Sequence, residues 1–343
     1  MSERIKVGIN GFGRIGKCIF LQLLEKESFD IKIINTSLDI SSIEKYINRD
    51  SVHGRRNYKV EIFDDSIVIK NHTIKIVNSR ILGEIDWRGF GADYLFETTG
   101  AYLTKDQLVK HQVDNVLLSS PPKDDTEMFC YGVNHEKNNG EKIISCGSCT
   151  TNCISPILKF CIDCFFSIDE GSFITIHSAT SSQSTVDTGK DKTRTNRSIF
   201  NNIIPHTTGA SKSIDLIIPE IKGKVKGTSA RIPISNVSMI DLNIRFTGTI
   251  TKDIFFKKLE KYDKKDIISV NMDNCVSSDF IGCDKPTIVD YNSTIEISDR
   301  SLKIQLWYDN EWSYAAQVIR MCNYLFIKNE YFLKKLLIKH TLV

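Results

Sequence analysis

Ile5-Lys6-Val7-Gly8-Ile9-Asn10-Gly11-Phe12-Gly13-Arg14-Ile15-Gly16 joins a β-branched run to a G-x-G-x-x-G spacing, and a helical pattern from Ile15 to Lys26 leaves it. In that setting the glycines read as a phosphate cradle. Gly11 permits the tight turn, Gly13 lets a pyrophosphate approach the backbone, and Gly16 lets helix and strand pack closely. The helix N-terminus then faces the negative charge. A dinucleotide site also wants an acid at the end of the second strand, to accept bonds from the adenosine ribose. That strand ends Ile33-Ile34-Asn35-Thr36-Ser37, and the next carboxylate is Asp39. The hydroxyls of Thr36 and Ser37 suit a 2′-phosphate, but no nearby arginine declares itself for one, so NAD and NADP both stay open.

Outward from this turn, strands are expected at Asp30 to Ile34, Tyr94 to Phe96, Val116 to Ser119 and Lys142 to Ile144. Helices are expected at Ile40 to Ile47 and Thr104 to His111, and alternation from Tyr58 to Val77 reads as antiparallel hairpins. Strand-helix alternation predicts an α/β fold with a Rossmann-type doubly wound, mostly parallel sheet. After Cys149 the pattern changes. A helix to Phe165 is followed by alternating runs at Ser172 to Ile176, Ala230 to Ile232, Ser238 to Phe246 and Lys303 to Trp307. These predict an α+β domain with a largely antiparallel sheet. The polar stretch Ser178 to Asn202 is too long for a plain connection. A helix from Glu311 to about Phe326 closes the pattern. Two domains follow, 1–148 for the dinucleotide and 149–311 for catalysis and oligomerisation.

Composition is that of a globular chain. The 343 residues are 41% apolar and 25% charged, and 45 Lys+Arg against 42 Asp+Glu leave +3. That balance argues against nucleic acid held by bulk charge. No apolar run reaches the ~18–20 residues that span a bilayer. Met1-Ser2-Glu3-Arg4 runs into a strand without an export signal, so a cytoplasmic protein is expected.

Ten cysteines in such a chain read as thiols, metal ligands or catalysts rather than a disulfide scaffold. Ser145-Cys146-Gly147-Ser148-Cys149-Thr150-Thr151-Asn152-Cys153 follows a strand and opens a helix. A thiol at a helix N-terminus is expected to lean toward the nucleophilic thiolate. The same orphan N–H groups can hold an oxyanion or phosphate. Cys146-x-x-Cys149 with Cys161-x-x-Cys164 resembles a four-thiolate zinc spacing, but one continuous helix from Cys149 to Cys164 would keep the pairs too far apart. No metal is expected.

Three motifs together carry a resemblance. Asn10-Gly11-Phe12-Gly13-Arg14-Ile15-Gly16, Ser148-Cys149-Thr150-Thr151-Asn152-Cys153 and Trp307-Tyr308-Asp309-Asn310-Glu311-Trp312 resemble the phosphorylating glyceraldehyde-3-phosphate dehydrogenase family, in order from Ile5 to about Asn329. The resemblance implies that Cys149 attacks the aldehyde carbon of glyceraldehyde 3-phosphate and that His177 serves as base. Inorganic phosphate then releases an acyl phosphate. It implies Thr180 and Arg231 for the substrate phosphate, and Ser148, Thr150, Thr208 and Gly209 for the attacking one. Arg14 and Ile15 match the pyrophosphate, and Asn35, Thr36, Arg80, Thr99, Gly100 and Ser119 the adenosine half. Asn310 matches the nicotinamide carboxamide position, with Tyr314 beside it. A homotetramer is implied too, with Ser178 to Asn202 packed between subunits and the helix 312–343 returned to the first domain.

Departures accompany the likeness. Thr36 stands where NAD-specific members carry Asp, and Thr188-Gly189 where many bacterial ones carry Leu-Pro. Cys146-Gly147 replaces Asn-Ala and makes Cys146 a candidate redox partner of Cys149, with Cys153 as rival. Ser313 replaces a customary Gly. The tail 330–343 exceeds the usual end, and Phe332, Leu333, Leu336 and Leu337 could form a short apolar stripe in it. Other functions weighed are erythrose-4-phosphate dehydrogenase and a non-catalytic binding paralogue.

Overall fold

A computed structural model describes residues 4–189 and 194–341, with side chains described as far as Tyr331. The chain divides into two units, residues 1–131, 135–147 and 315–343 in the first, and 132–134 with 148–314 in the second.

The first unit holds strands β1 (Ile5–Asn10), β2 (Phe29–Asn35), β3 (Arg49–Asp50), β4 (Gly54–Arg55), β5 (Val60–Ile62), β6 (Ser66–Ile69), β7 (His72–Val77), β8 (Tyr94–Glu97), β9 (Asn115–Leu118) and β10 (Ile143–Ser145). Its helices are α1 (Arg14–Leu23), α2 (Ile43–Asn48) and the short α3 (Lys105–Leu108), which continues as a 3₁₀ turn to His111. Eight strands form one sheet in the order β10-β9-β8-β1-β2-β7-β6-β5. The first six are mutually parallel, and β7, β6 and β5 form the antiparallel hairpins read between Tyr58 and Val77. The order runs outward from β1 in both directions. The carboxyl ends of β1 and β8 therefore flank the switch point where such sheets bind ligands.

Strand β1 is apolar because both its faces are covered: Ile5, Val7 and Ile9 are buried, as are Ile31, Ile33 and Ile34 of β2. A Cβ on Gly8 would meet the Trp87 ring at 2.7 Å, so glycine lets that indole into the core.

The second unit opens with α4 (Cys149–Asp163) and adds β11 (Ile168–His177), β12 (Ile204–His206), α5 (Ala210–Ile217), β13 (Val225–Arg231), β14 (Ser238–Phe246), α6 (Lys252–Lys261), β15 (Ile268–Asn271), β16 (Thr287–Ser298) and β17 (Ser301–Tyr308). Its sheet has the order β12-β13-β11-β14-β17-β16-β15. It is antiparallel except at β11/β13 and β15/β16. Strands β14 and β17 alternate buried and part-exposed residues along their length, as a sheet covered on one face does. Helix α4 packs against this sheet at β11, β16 and β17.

Two expectations need correction. Strand β13 begins at Val225, five residues before the expected start, since Val225-Lys226-Gly227-Thr228-Ser229 is mostly polar and hides the pattern. The last helix, α7 (Trp312–Thr341), runs well past Phe326. No Gly or Pro follows Phe326, so nothing in the backbone chemistry stops it. The side chains of Phe332, Leu333, Leu336 and Leu337 lie outside the described residues, as do residues 190–193 of the long polar loop.

Candidate active site

Ser148 starts the site. Its hydroxyl accepts from the Thr151 N–H at 3.2 Å and so caps α4, which seats Cys149 at the first helical position. His177 ends β11, buried, with Nε2 3.5 Å from Cys149 Sγ. Arg231 ends β13, the parallel neighbour, and the register pairs His177 with Arg231 directly. Its Nη1 stands 2.6 Å from His177 Nδ1 and 3.2 Å from the Ser178 carbonyl. His177 Nδ1 is itself 2.9 Å from that carbonyl. One nitrogen cannot both donate to the carbonyl and accept from the guanidinium. Two tautomers therefore compete, and which one holds depends on where Arg231 sits. Arg231 Nε is buried without a partner among the described residues.

Charge here differs from the sequence expectation. Burial raises the Cys149 thiol above its ordinary value, although Arg231 and the Thr150 groups pull it down. Burial and then Arg231 push the His177 imidazole down to about 3. Desolvation thus opposes the charged form of both groups.

The Thr150 hydroxyl, expected on a phosphate, is instead turned inward. It lies 3.0 Å from Tyr308 Oη, which also meets Thr175 Oγ1 at 2.9 Å. Thr180 donates to Gln183 at 2.9 Å at the start of the polar loop. Thr208 accepts from the Ala210 N–H and, with exposed Gly209, leads into α5. Asn310 is buried, and its Oδ1 accepts from both Ser178 Oγ and Ser238 Oγ at 2.9 Å. That leaves its Nδ2 as the outward donor. Tyr314 is buried in the first turns of α7. Cys149 and Cys161 stand twelve residues apart on unbroken α4, about 18 Å along its axis. Cys146 is buried in the first unit, where burial pushes its thiol up to about 12, unfavourable for redox attack as a thiolate.

In the first unit a cavity of about 700 Å³ opens at the switch point. Asn10, Gly11, Phe12 and Gly13 line one side, and Asn35, Thr36, Arg80 and Thr99 are also in its wall. The glycines fit a bound dinucleotide. Gly11 has φ +95°, and a Cβ on Gly16 would strike the Gly11 carbonyl at 2.1 Å. A Cβ on Gly13 would meet no protein atom within 4 Å, which leaves that side open for a pyrophosphate. Among the described residues no carboxylate lines the cavity, and Arg80 is in its wall. Spacing alone offered no arginine near Thr36; the resemblance implied Arg80 for the adenosine half, and Arg80 lies in the same cavity wall as Thr36. Arg14, Ile15, Gly16, Gly100 and Ser119 lie outside the lining. Arg14 is instead forked onto Asp50 at 2.6 and 3.0 Å.

Two family profiles match the chain: the glyceraldehyde 3-phosphate dehydrogenase NAD binding domain over residues 5–105 and the C-terminal domain of the same family over residues 148–310. The chain belongs to the glyceraldehyde-3-phosphate dehydrogenase family. The glyceraldehyde-3-phosphate dehydrogenase of Bacteroides fragilis is 38% identical over 333 residues, 94% of this chain and 100% of that protein. That of Chlamydia pneumoniae is 37% identical over 331 residues, 94% of this chain and 98% of its own. A cytosolic one from Leishmania mexicana is 37% identical over 322 residues, 92% and 97% of the two chains. As a family member the chain is an NAD(P)-dependent oxidoreductase acting on an aldehyde group. Among the described residues no helix is long and apolar enough to cross a membrane.

Within this family site, sequence reading missed Ser178, Ser238 and Tyr308. Nothing local marks them, because each acts on a residue far away in the chain. It also missed Asp50, whose carboxylate takes Arg14, Lys17 and the His53 and Val52 N–H groups. Those four donors hold it well below the usual carboxylate range against its burial.

Proposed function

We propose that this chain oxidises glyceraldehyde 3-phosphate, with NAD or NADP and inorganic phosphate, to 1,3-bisphosphoglycerate. The observation that carries the reading is the 3.5 Å approach of His177 Nε2 to Cys149 Sγ at the head of α4. Cys149 sulfur attacks the aldehyde carbon, and its proton goes to the carbonyl oxygen, giving a thiohemiacetal. His177 then takes the hydroxyl proton as the C–H hydride departs, leaving a thioester on Cys149. A bound nicotinamide would supply the hydride acceptor, and Asn310 Nδ2 is the donor suited to its carboxamide. Phosphate attacks the thioester carbon and the Cys149 thiolate leaves.

Arg231 links substrate binding to the base. While its guanidinium sits on Nδ1, the Nε2 proton faces the sulfur and the imidazole is a poor base. A substrate phosphate held by Arg231 and Thr180 neutralises that charge and draws it away. Nδ1–H can then donate to the Ser178 carbonyl, and Nε2 is open to a proton. Ser148, Thr208, Gly209 and the Thr150 backbone are the groups suited to the attacking phosphate. Asn10 through Gly16, Asn35, Thr36, Arg80, Thr99, Gly100 and Ser119 are assigned to the dinucleotide. With Arg80 present and no carboxylate among the described residues of the cavity wall, the cleft accepts both NAD and NADP. We assign the protein to the cytoplasm and, from the family resemblance, to a homotetramer.

The test is an initial-rate assay with glyceraldehyde 3-phosphate, each cofactor in turn, with and without phosphate. Phosphate-dependent reduction of either cofactor, lost in Cys149→Ser, is the expected result. Turnover indifferent to phosphate would move the assignment to a hydrolytic aldehyde dehydrogenase.

A further inference from the structure

Three neighbouring strands of the first sheet end side by side on Glu97 (β8), Asn10 (β1) and Asn35 (β2), paired in register. All three side chains are buried, Glu97 completely. Asn10 Nδ2 donates to Glu97 Oε2 at 2.5 Å, and Asn35 Nδ2 donates to Asn10 Oδ1 at 2.7 Å. Asn35 Nδ2 also reaches the Ser79 carbonyl at 2.8 Å, and its Oδ1 accepts from the Ser79 N–H at 3.0 Å. The other carboxylate oxygen of Glu97 accepts from the Thr99 N–H at 2.8 Å and the Thr99 hydroxyl at 2.5 Å. His111 Nε2 lies 3.2 Å from Oε2, close enough for an ion pair but misaligned for a hydrogen bond.

An amide can face either way, whereas an ionised carboxylate only accepts. Glu97 therefore decides which end of Asn10 faces it, Asn10 decides Asn35, and Asn35 holds Ser79. Asn10, Asn35, Ser79 and Thr99 all line the 700 Å³ cavity, and buried Glu97 bonds to two of them, Asn10 and Thr99. We propose that Glu97 is the positioning residue of the dinucleotide cleft, setting the polarity of the Asn10–Asn35–Ser79 chain that shapes the cofactor wall. This rests on the reading of the cleft as the NAD(P) site.

The consequence is specific. In Glu97→Gln one carboxylate oxygen becomes an amide donor. If the new side chain keeps its acceptor for Thr99, it presents NH₂ to the Asn10 NH₂. Asn10 must then flip, Asn35 with it, and Asn35 next turns its NH₂ on the Ser79 N–H. If it keeps its acceptor for Asn10, it opposes the Thr99 N–H instead. Adding Asn10→Asp removes the conflict, because a carboxylate at position 10 accepts from the new amide on one oxygen and from Asn35 on the other.

Cofactor dissociation constants are measured directly by calorimetry on the full-length protein, with KM and kcat from initial rates and thermal melting without cofactor. E97Q is expected to weaken cofactor binding about tenfold, the scale of one buried donor left facing a donor. The effect falls in KM, with kcat within about twofold, and E97Q/N10D recovers to within about threefold of the parent. A merely structural role would lower melting in both variants without that rescue. E97Q with unchanged affinity, or a double variant no better than the single, overturns the proposal. If E97Q does not fold, the double variant decides alone, since near-parental affinity supports the proposal and loss of binding or folding overturns it. A parent protein that binds neither NAD nor NADP would instead refute the underlying reading of the cleft.

Discussion

Asn310 Oδ1 accepts from two serine hydroxyls, which hold this amide in place. Ser178→Ala removes one of them. A net bond of about 1 kcal/mol corresponds to about a fivefold rise in cofactor KM, checked by initial rates, with thiol alkylation of Cys149 unchanged. Thr36 presents a second residue-scale choice. Its hydroxyl accepts from the Leu38 N–H at 3.0 Å, and an Asp could take the same bond. Thr36→Asp is expected to raise the NADP KM by about tenfold while the NAD value moves less, because only NADP brings a phosphate to the new charge. Equal changes would count against Thr36 as a selectivity residue. His177 gives a pH signature. Its folded value of about 3 lies below the ordinary 6.5, so the folded state binds fewer protons between the two. Stability is full above 6.5 and declines as pH falls from there toward 3. Between pH 7.5 and 5 the His177→Gln variant should lose less melting temperature than the parent, by about 2–4 °C. His177 was legible only through the resemblance: a histidine ending an apolar strand carries no local mark of catalysis.

At the scale of elements, the entry to α7 shows how one side chain starts a helix. Asp309 is buried; its Oδ1 accepts from the Glu311 and Trp312 N–H groups at 2.9 and 2.8 Å, and its Oδ2 from Gly282 at 2.8 Å. Ser313, which departs from the family pattern, donates to the Asp309 carbonyl at 2.7 Å, so the serine adds a bond that glycine lacks. Asp309→Ala should destabilise the protein by on the order of 3 kcal/mol in urea unfolding, since three N–H groups lose a buried acceptor. A loss below about 1 kcal/mol would mean that water replaces the carboxylate. The strands Ser238 to Phe246 and Ile5 to Ile9 were readable because their apolar period is clean. Strand β16 was missed because its pattern is not. Asp290 is buried there, taking the Trp307 indole at 2.9 Å, and the register with β17 shifts after it. A buried acid with a distant partner looks, in one dimension, like a surface residue.

For the whole molecule, the second unit leaves Ile174, Ile295 and Ile297 exposed along its sheet, with Phe200 and Ile203 exposed nearby in sequence to β12. Exposed apolar side chains on β11 and β16 of one sheet are where the proposed tetramer would bury surface. Ile297→Lys together with Ile295→Lys should therefore lower the mass in light scattering from about four chains of 39.0 kDa to smaller species. An unchanged tetramer would place the interface elsewhere. The amino-acid sequence determined by itself what depends on residues a turn or two apart. These are the glycine turn after β1, the thiol at the start of α4, the two sheet types and, through motif resemblance, the family. Tertiary structure alone decided the partners. Cys149 meets His177 across 28 residues, Asn10 meets Glu97 across 87, and Asn310 meets Ser178 across 132. Strand register makes the Asn10–Glu97 pair, and a slip of one residue would turn those side chains to opposite faces. The other two pairs come from the start of α4 and the turn after β17 meeting the end of β11. The protonation of the thiol and imidazole belongs to the same class, because it follows from burial and from Arg231, neither of which is a property of the local sequence.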